Sequence, residues 1–343
     1  MSQARPKVHH YVPRFLLKNF STRGKKDKFY IWCYDKKRDN FFRSEISNIA
    51  AESGFNDLSI DFNYEEVLSK IEDSCAPIIK KLLETNSLSC LTRKDFDWLY
   101  SFIICQRYRT NWFRETMSDV NIQLAEHLKN FANSDEPDSG IQAALKRGNM
   151  KTDSAIFVVR AMKDQTQYLK NKSVMLMKSQ TPDMFISDSP VCLHNDVDMR
   201  PYSNIGLALT GIQVYLPLSS DMTLAFLCPT IPLGFQHSSS EARKLIERLK
   251  TDRMLGSTIQ QKLAIDKLPE LHEIAERSEL KAIAVQTGLP APADQENIKF
   301  FNALQVRSAE RFVFANKKSS LLFAQTVARG DGPNYRPMRM KLN

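Results

Sequence analysis

The chain has 343 residues, 42% hydrophobic and 25% charged, the balance of an ordinary globular protein. No uninterrupted apolar run approaches the ~18 residues of a membrane span, and Met1-Ser2-Gln3-Ala4-Arg5-Pro6 contains no apolar core. No membrane helix or signal peptide is therefore expected, and a cytoplasmic location is. The formal charge of +9 suits the capture of polyanions without requiring it, which makes nucleic acid a candidate partner. The six cysteines include no C-x-x-C spacing, which excludes a local zinc ribbon or thioredoxin motif, and they read as reduced core residues.

In chain order, His9-His10-Tyr11-Val12-Pro13-Arg14-Phe15-Leu16-Leu17-Lys18-Asn19-Phe20 comes first, with two adjacent histidines before a proline-started apolar turn. Phe29-Tyr30-Ile31-Trp32-Cys33-Tyr34 has the β-branched and aromatic character of a buried strand. After a charged turn over 35–40, residues 41–43 return beside it as a β-hairpin. Over 64–84, Val67, Leu68, Ile71, Ile78, Ile79, Leu82 and Leu83 recur at three-to-four spacing, predicting a helix that Pro77 kinks or divides. Thr92 with Asp95 resembles a capping box and opens a helical segment through Phe131. Residues 133–140 form a loop, and another helix is expected from Ile141 or Thr152 towards Tyr168.

The pattern then changes to strand-like runs at 173–178, 184–186, 212–216 and 222–227, which suggest a small antiparallel sheet. Helical patterns return over 240–265, 270–287 and 294–311, and 311–314 looks like a last strand. The fold class expected is α+β: an N-terminal β-hairpin, a helical middle, a small antiparallel sheet and C-terminal helices. Residues 1–316 read as a single composite domain and 317–343 as a basic, mobile tail.

Three groups could carry chemistry. His9 and His10 lie next to each other in an extended segment, so their side chains leave on opposite faces and only one need enter a site as general base, general acid or metal ligand. Gln106 and Arg109, three apart on an apolar helix, share a face. They would bind a phosphate or carboxylate, or else Arg109 forms a structural salt bridge with Glu72 or Asp188. Asp188, in Ser187-Asp188-Ser189-Pro190, sits at a strand end, as a site residue or as a turn that caps the strand. P-loop, G-x-S-x-G, H-E-x-x-H and G-x-G-x-x-G motifs are all missing. Glu279-Leu280-Lys281 has a nuclease-like E-x-K spacing in a helical stretch, and Arg5 and His10 an R-x4-H spacing opposed by Pro6. Both are weak.

The opening signature, residues 9–20, resembles that of the bacterial domain-of-unknown-function family numbered 4238. Ile71-Glu72, Ala76-Pro77-Ile78-Ile79 and Gln106-Arg107-Tyr108-Arg109 resemble its helical middle. Ser187-Asp188-Ser189-Pro190, Pro217-Leu218-Ser219-Ser220-Asp221, Asn302-Ala303-Leu304-Gln305 and Arg311-Phe312-Val313 resemble its second half. The resemblance spans residues 7–314 and implies one composite domain. It brings no activity, but the residues flagged from chemistry are among those its pattern features.

The expectation is therefore a phosphodiester hydrolase, a nuclease-like effector. One histidine would be its base or a ligand of a divalent metal, and Asp188 would orient that histidine or join the metal. Arg109 would face the phosphoryl oxygens and Gln106 would position substrate. The competing class is a non-enzymatic module that binds nucleic acid or protein and carries these residues as a buried structural network.

Overall fold

A computed structural model describes residues 8–53, 63–132, 150–197, 205–255 and 258–330. The expected loop at 133–140, the helix start at Ile141 and Arg5 of the R-x4-H spacing lie outside the described residues. Strand β1 (Val8–His10) leads into helix α1 (Arg14–Lys18), followed by β2 (Thr22–Arg23), β3 (Phe29–Asp35), β4 (Asn40–Glu45) and β5 (Ala51–Ser53). The expected hairpin is β3 with β4, from Tyr30 opposite Glu45 to Asp35 opposite Asn40. A separate ribbon pairs β1 with β5, setting His9 opposite Glu52 and His10 opposite Ala51.

Four helices follow: α2 (Tyr64–Thr85), α3 (Arg93–Tyr108), α4 (Asn111–Ala132) and α5 (Met150–Lys170). Helix α2 runs on through Pro77, so the proline does not divide it. Pro77 and Asp73 are both exposed, so the carbonyl that the proline leaves without its usual donor faces water. Thr92 and Asp95 do form a reciprocal capping box at the start of α3. The helix expected to continue to Phe131 instead ends at Tyr108 and restarts at Asn111. The Thr110 hydroxyl accepts the Phe113 amide at 3.3 Å, giving the new helix its first cap. Apolar periodicity carries across this corner, which hid it.

The second half contributes β6 (Ser173–Lys178), β7 (Ile186–Ser187), β8 (Cys192–His194), β9 (Gln213–Ser219) and β10 (Met222–Leu227). Then come α6 (Thr230–Leu255), α7 (Thr258–Thr287), β11 (Ala291–Pro292), α8 (Gln295–Ser308), β12 (Phe312–Ala315) and α9 (Ser320–Ala328). The expected division between 265 and 270 does not occur. Helix α7 passes through exposed Pro269, and the helices part after Leu255. The expected mobile tail is corrected as well: Ser320–Ala328 is a helix whose Leu321, Ala324 and Val327 are buried with Tyr34 and Val313. Residues 331–343 lie outside the described part.

Strand alternation sets the layers. In the sheet β11-β6-β10-β9-β8, Leu176, Leu224, Phe226, Val214 and Leu216 face one core with α2 and α3 residues. Met175, Met177, Ala225, Leu227 and Tyr215 face a second core with Phe301 and Leu304 of α8. Both faces are covered, so β9 and β10 read as continuous apolar runs rather than alternating ones. The pairs β6–β10, β9–β10 and β8–β9 are antiparallel, and only the short β11 is parallel to β6. A second sheet orders β2-β3-β12-β7, with β4 on β3. It joins the N-terminal hairpin to a strand some 280 residues later in the chain, Phe312 pairing with Asp35.

Candidate functional site

The opening signature is mostly anchor. Val12, Leu16, Leu17 and Phe20 are buried in the large core, and Asn19 Nδ2 donates to the Leu218 carbonyl at 2.8 Å. This fixes β1 against the body, and the β1–β5 pairing continues into the Tyr11 amide, which donates to the Ala50 carbonyl at 2.9 Å. The two histidines then leave the ribbon on opposite faces. His9 is buried, with Nε2 3.5 Å from Glu65 Oε1.

His10 points to the side of Glu72 and Arg14, whose charges both act on it. Burial and Arg14 hold the imidazole below its ordinary pKa, against the favourable effect of Glu72 and of backbone hydrogen bonds at Ile46 and Ser47. His10 is therefore neutral at pH 7. Its Nε2 is buried and has no hydrogen-bond partner. A lone pair on Nε2 requires the Nδ1–H tautomer, which is the form a base role for His10 calls for.

Beside it, the end of α3 meets the middle of α2. Arg109 Nη1 donates to Glu72 Oε1 at 2.6 Å and Nε to Gln106 Oε1 at 2.9 Å, while Gln106 Nε2 donates to the Tyr11 carbonyl at 2.8 Å. The chain Glu72–Arg109–Gln106–Tyr11 thus ties α2, α3 and the histidine segment together. Burial works against the Arg109 charge, but the Glu72 carboxylate, with Cys105 and Tyr64, more than offsets it and raises its pKa. Arg109 Nη2 remains buried and unpartnered. The Glu72 side chain is 28% exposed against 2% for Arg109, so the pair opens to solvent on the Glu72 side. Tyr64 lies within electrostatic reach of both Arg109 and Arg114, and burial draws the Arg114 guanidinium down to about 10.

Asp188 belongs to a different arrangement. Its Oδ1 accepts the Glu310 amide at 2.8 Å, and its Oδ2 accepts the Arg311 and Phe312 amides, each at 2.8 Å. Burial pushes its carboxyl up to about 6, against those amides and Lys36. Gln305 Oε1 accepts the Ser187 amide at 2.9 Å, Gln305 Nε2 donates to the Pro190 carbonyl at 2.8 Å, and Asn302 Oδ1 accepts the Phe185 amide at 3.0 Å. These residues clamp the backbone where β7, β12 and α8 meet. Asp188 makes no hydrogen bond or ion pair with either histidine among the described residues, so the geometry does not give it the expected orienting role.

The structure joins Gln106 and Arg109 to Glu72 and to the Tyr11 backbone next to His10, sets His10 within electrostatic reach of Glu72, and leaves His9 on the far face and Asp188 in the clamp. Glu72 was legible only as a counter-ion of Arg109; its place on the same face of α2 as Leu68 and Cys75 was the signal for more. The E-x-K reading separates as well: Glu279 pairs with Arg243, while Lys281 lies over the Phe235 ring. Among the described residues no group of three or more His, Cys, Asp or Glu gathers to hold a metal ion. No helix among them is long and apolar enough to cross a membrane.

Comparison with known proteins places this geometry in a family. A family model described as a protein of unknown function, DUF4238, matches residues 8–319, which takes in β1, both helices of the site and the Asp188 clamp. No curated protein and no solved structure matches the chain. With most of its length matched by that one model, the chain belongs to the DUF4238 family.

Proposed function

We propose that the protein is a hydrolase of phosphodiesters, with His10 as its general base. The observation that carries this reading is the unpartnered Nε2 of a neutral His10 on the side of Glu72, whose guanidinium partner Arg109 also keeps an unpartnered Nη2. A perturbed titratable group beside a specific charge partner marks a functional-site candidate. In the reaction, Nε2 takes a proton from water as the water oxygen attacks phosphorus. The bond from phosphorus to the leaving oxygen breaks, and the imidazolium returns its proton to that oxygen. Arg109 Nη2 stabilises charge on the phosphoryl oxygens, Glu72 and Gln106 hold the guanidinium in place, and the net charge of +9 aids capture of a polyanion.

A second reading has its own support. Gln106 and Arg109 are sealed, at 0% and 3% exposure, and they latch β1 to the helices. On that reading the chain is a non-enzymatic module binding nucleic acid or protein, and the network is structural.

The test is an assay of the purified full chain against single- and double-stranded DNA and RNA, with and without added Mg²⁺ or Mn²⁺. Cleavage of at least one substrate is expected. A folded protein that cleaves none of them under any of these conditions contradicts the hydrolase reading and favours the second.

A further inference from the structure

We propose that a cleft on the other side of α3 binds a small oxyanion, a phosphate or carboxylate group, through Arg107 and Ser189. The cleft is lined by Arg107 and Trp112 at the α3–α4 corner, by Ser189, Val191 and Leu193 around the turn into β8, and by Ser308 at the end of α8. Arg107 leaves α3 about 100° round the helix from Gln106, so it faces away from the Glu72 network. Two buried polar atoms in this lining have no partner: Arg107 Nε and Ser189 Oγ. Ser189 is 6% exposed, which leaves its hydroxyl little access to bulk water.

Among the described residues Arg107 has no carboxylate partner, and its guanidinium carbon lies 5.4 Å from the centre of the Tyr108 ring. The Cys192 thiol lies within electrostatic reach of Arg107. Burial pushes that thiol up to about 12, so it stays neutral despite Arg107 and the Ser308 hydroxyl. Arg107 is half-buried and its Nε is shut off without a partner, so a donor is left unmet there beside a charge that water satisfies only in part. An oxyanion meets both, accepting from Nε and from the serine hydroxyl. The cavity is about 40 Å³, room for roughly three waters and so for one carboxylate or phosphate group. Trp112, Val191 and Leu193 form apolar walls, which strengthen the pairing by excluding solvent.

The experiment is thermal unfolding of the full chain titrated with inorganic phosphate, acetate or chloride at matched ionic strength. A saturable rise in melting temperature beyond that of chloride is expected with phosphate or acetate, and whichever acts identifies the class of group bound. Arg107→Gln should weaken the response about tenfold or more, because a charge-assisted bond is lost. Ser189→Ala should fold as well as the wild type without anion, since it removes a hydroxyl that has no partner, yet bind more weakly. His10→Asn should respond like the wild type, which separates this cleft from the hydrolase site. The proposal is overturned if chloride matches both oxyanions, if Arg107→Gln responds like the wild type, or if His10→Asn abolishes the response.

Discussion

Asp188→Ala is expected to cost about 3–5 kcal/mol of stability at neutral pH. The carboxylate accepts three backbone amides, those of Glu310, Arg311 and Phe312. Without it, three half-buried amide donors lose their shared acceptor. The loss should appear in urea denaturation as a lower midpoint with the slope unchanged. A pH signature goes with it. The folded carboxyl is raised to about 6 by burial, against ~3.9 in an unfolded chain. The native state therefore holds the proton more tightly, and this group's contribution is fully present below about pH 4 and declines as pH rises through about 6. The gap between wild type and Asp188→Ala should be wider at pH 4 than at pH 7.5. A gap that is constant, or wider at pH 7.5, would refute this account of the carboxyl.

His10→Asn is expected to lower phosphodiester cleavage by roughly 10²–10⁴-fold, the usual contribution of a positioned base. Asparagine keeps an amide donor near the Nδ1 position for the backbone at Ile46 and Ser47, and removes the lone pair at Nε2. Since Nε2 has no hydrogen-bond partner to lose, the melting temperature should scarcely move. The structural reading predicts the reverse: lower stability with no chemistry to lose. Measuring both quantities on one preparation decides between them.

The sequence revealed periodicity well and contacts between distant segments poorly. The hairpin of β3 and β4, strands β6 and β10 and the Thr92 capping box were legible because each rests on neighbours within a few residues. The corner at Arg109–Thr110 was not, because apolar residues continue on both sides of it. Composition misled at the C-terminus, where basic residues masked the buried Leu321, Ala324 and Val327 spacing of α9. In the site, Gln106 and Arg109 were found from their shared helical face, and Glu72 was named as a partner of Arg109. Asp188 was chosen for its place in a loop, and loops also carry clamps: its partners lie more than 120 residues away, so no local pattern could announce them. Three of the segments that resemble the family, around Asp188, Asn302–Gln305 and Arg311, converge on that one junction.

The most direct test of the central claim is a titration of the His10 ring nitrogens by nuclear magnetic resonance in the full chain, assigned by comparison with His10→Asn. The account predicts a neutral Nδ1–H tautomer at pH 7 and a pKa below the ordinary imidazole value, because burial and Arg14 outweigh Glu72. A ring that is protonated at pH 7, or that carries its proton on Nε2, would contradict the role of His10 as a ready base.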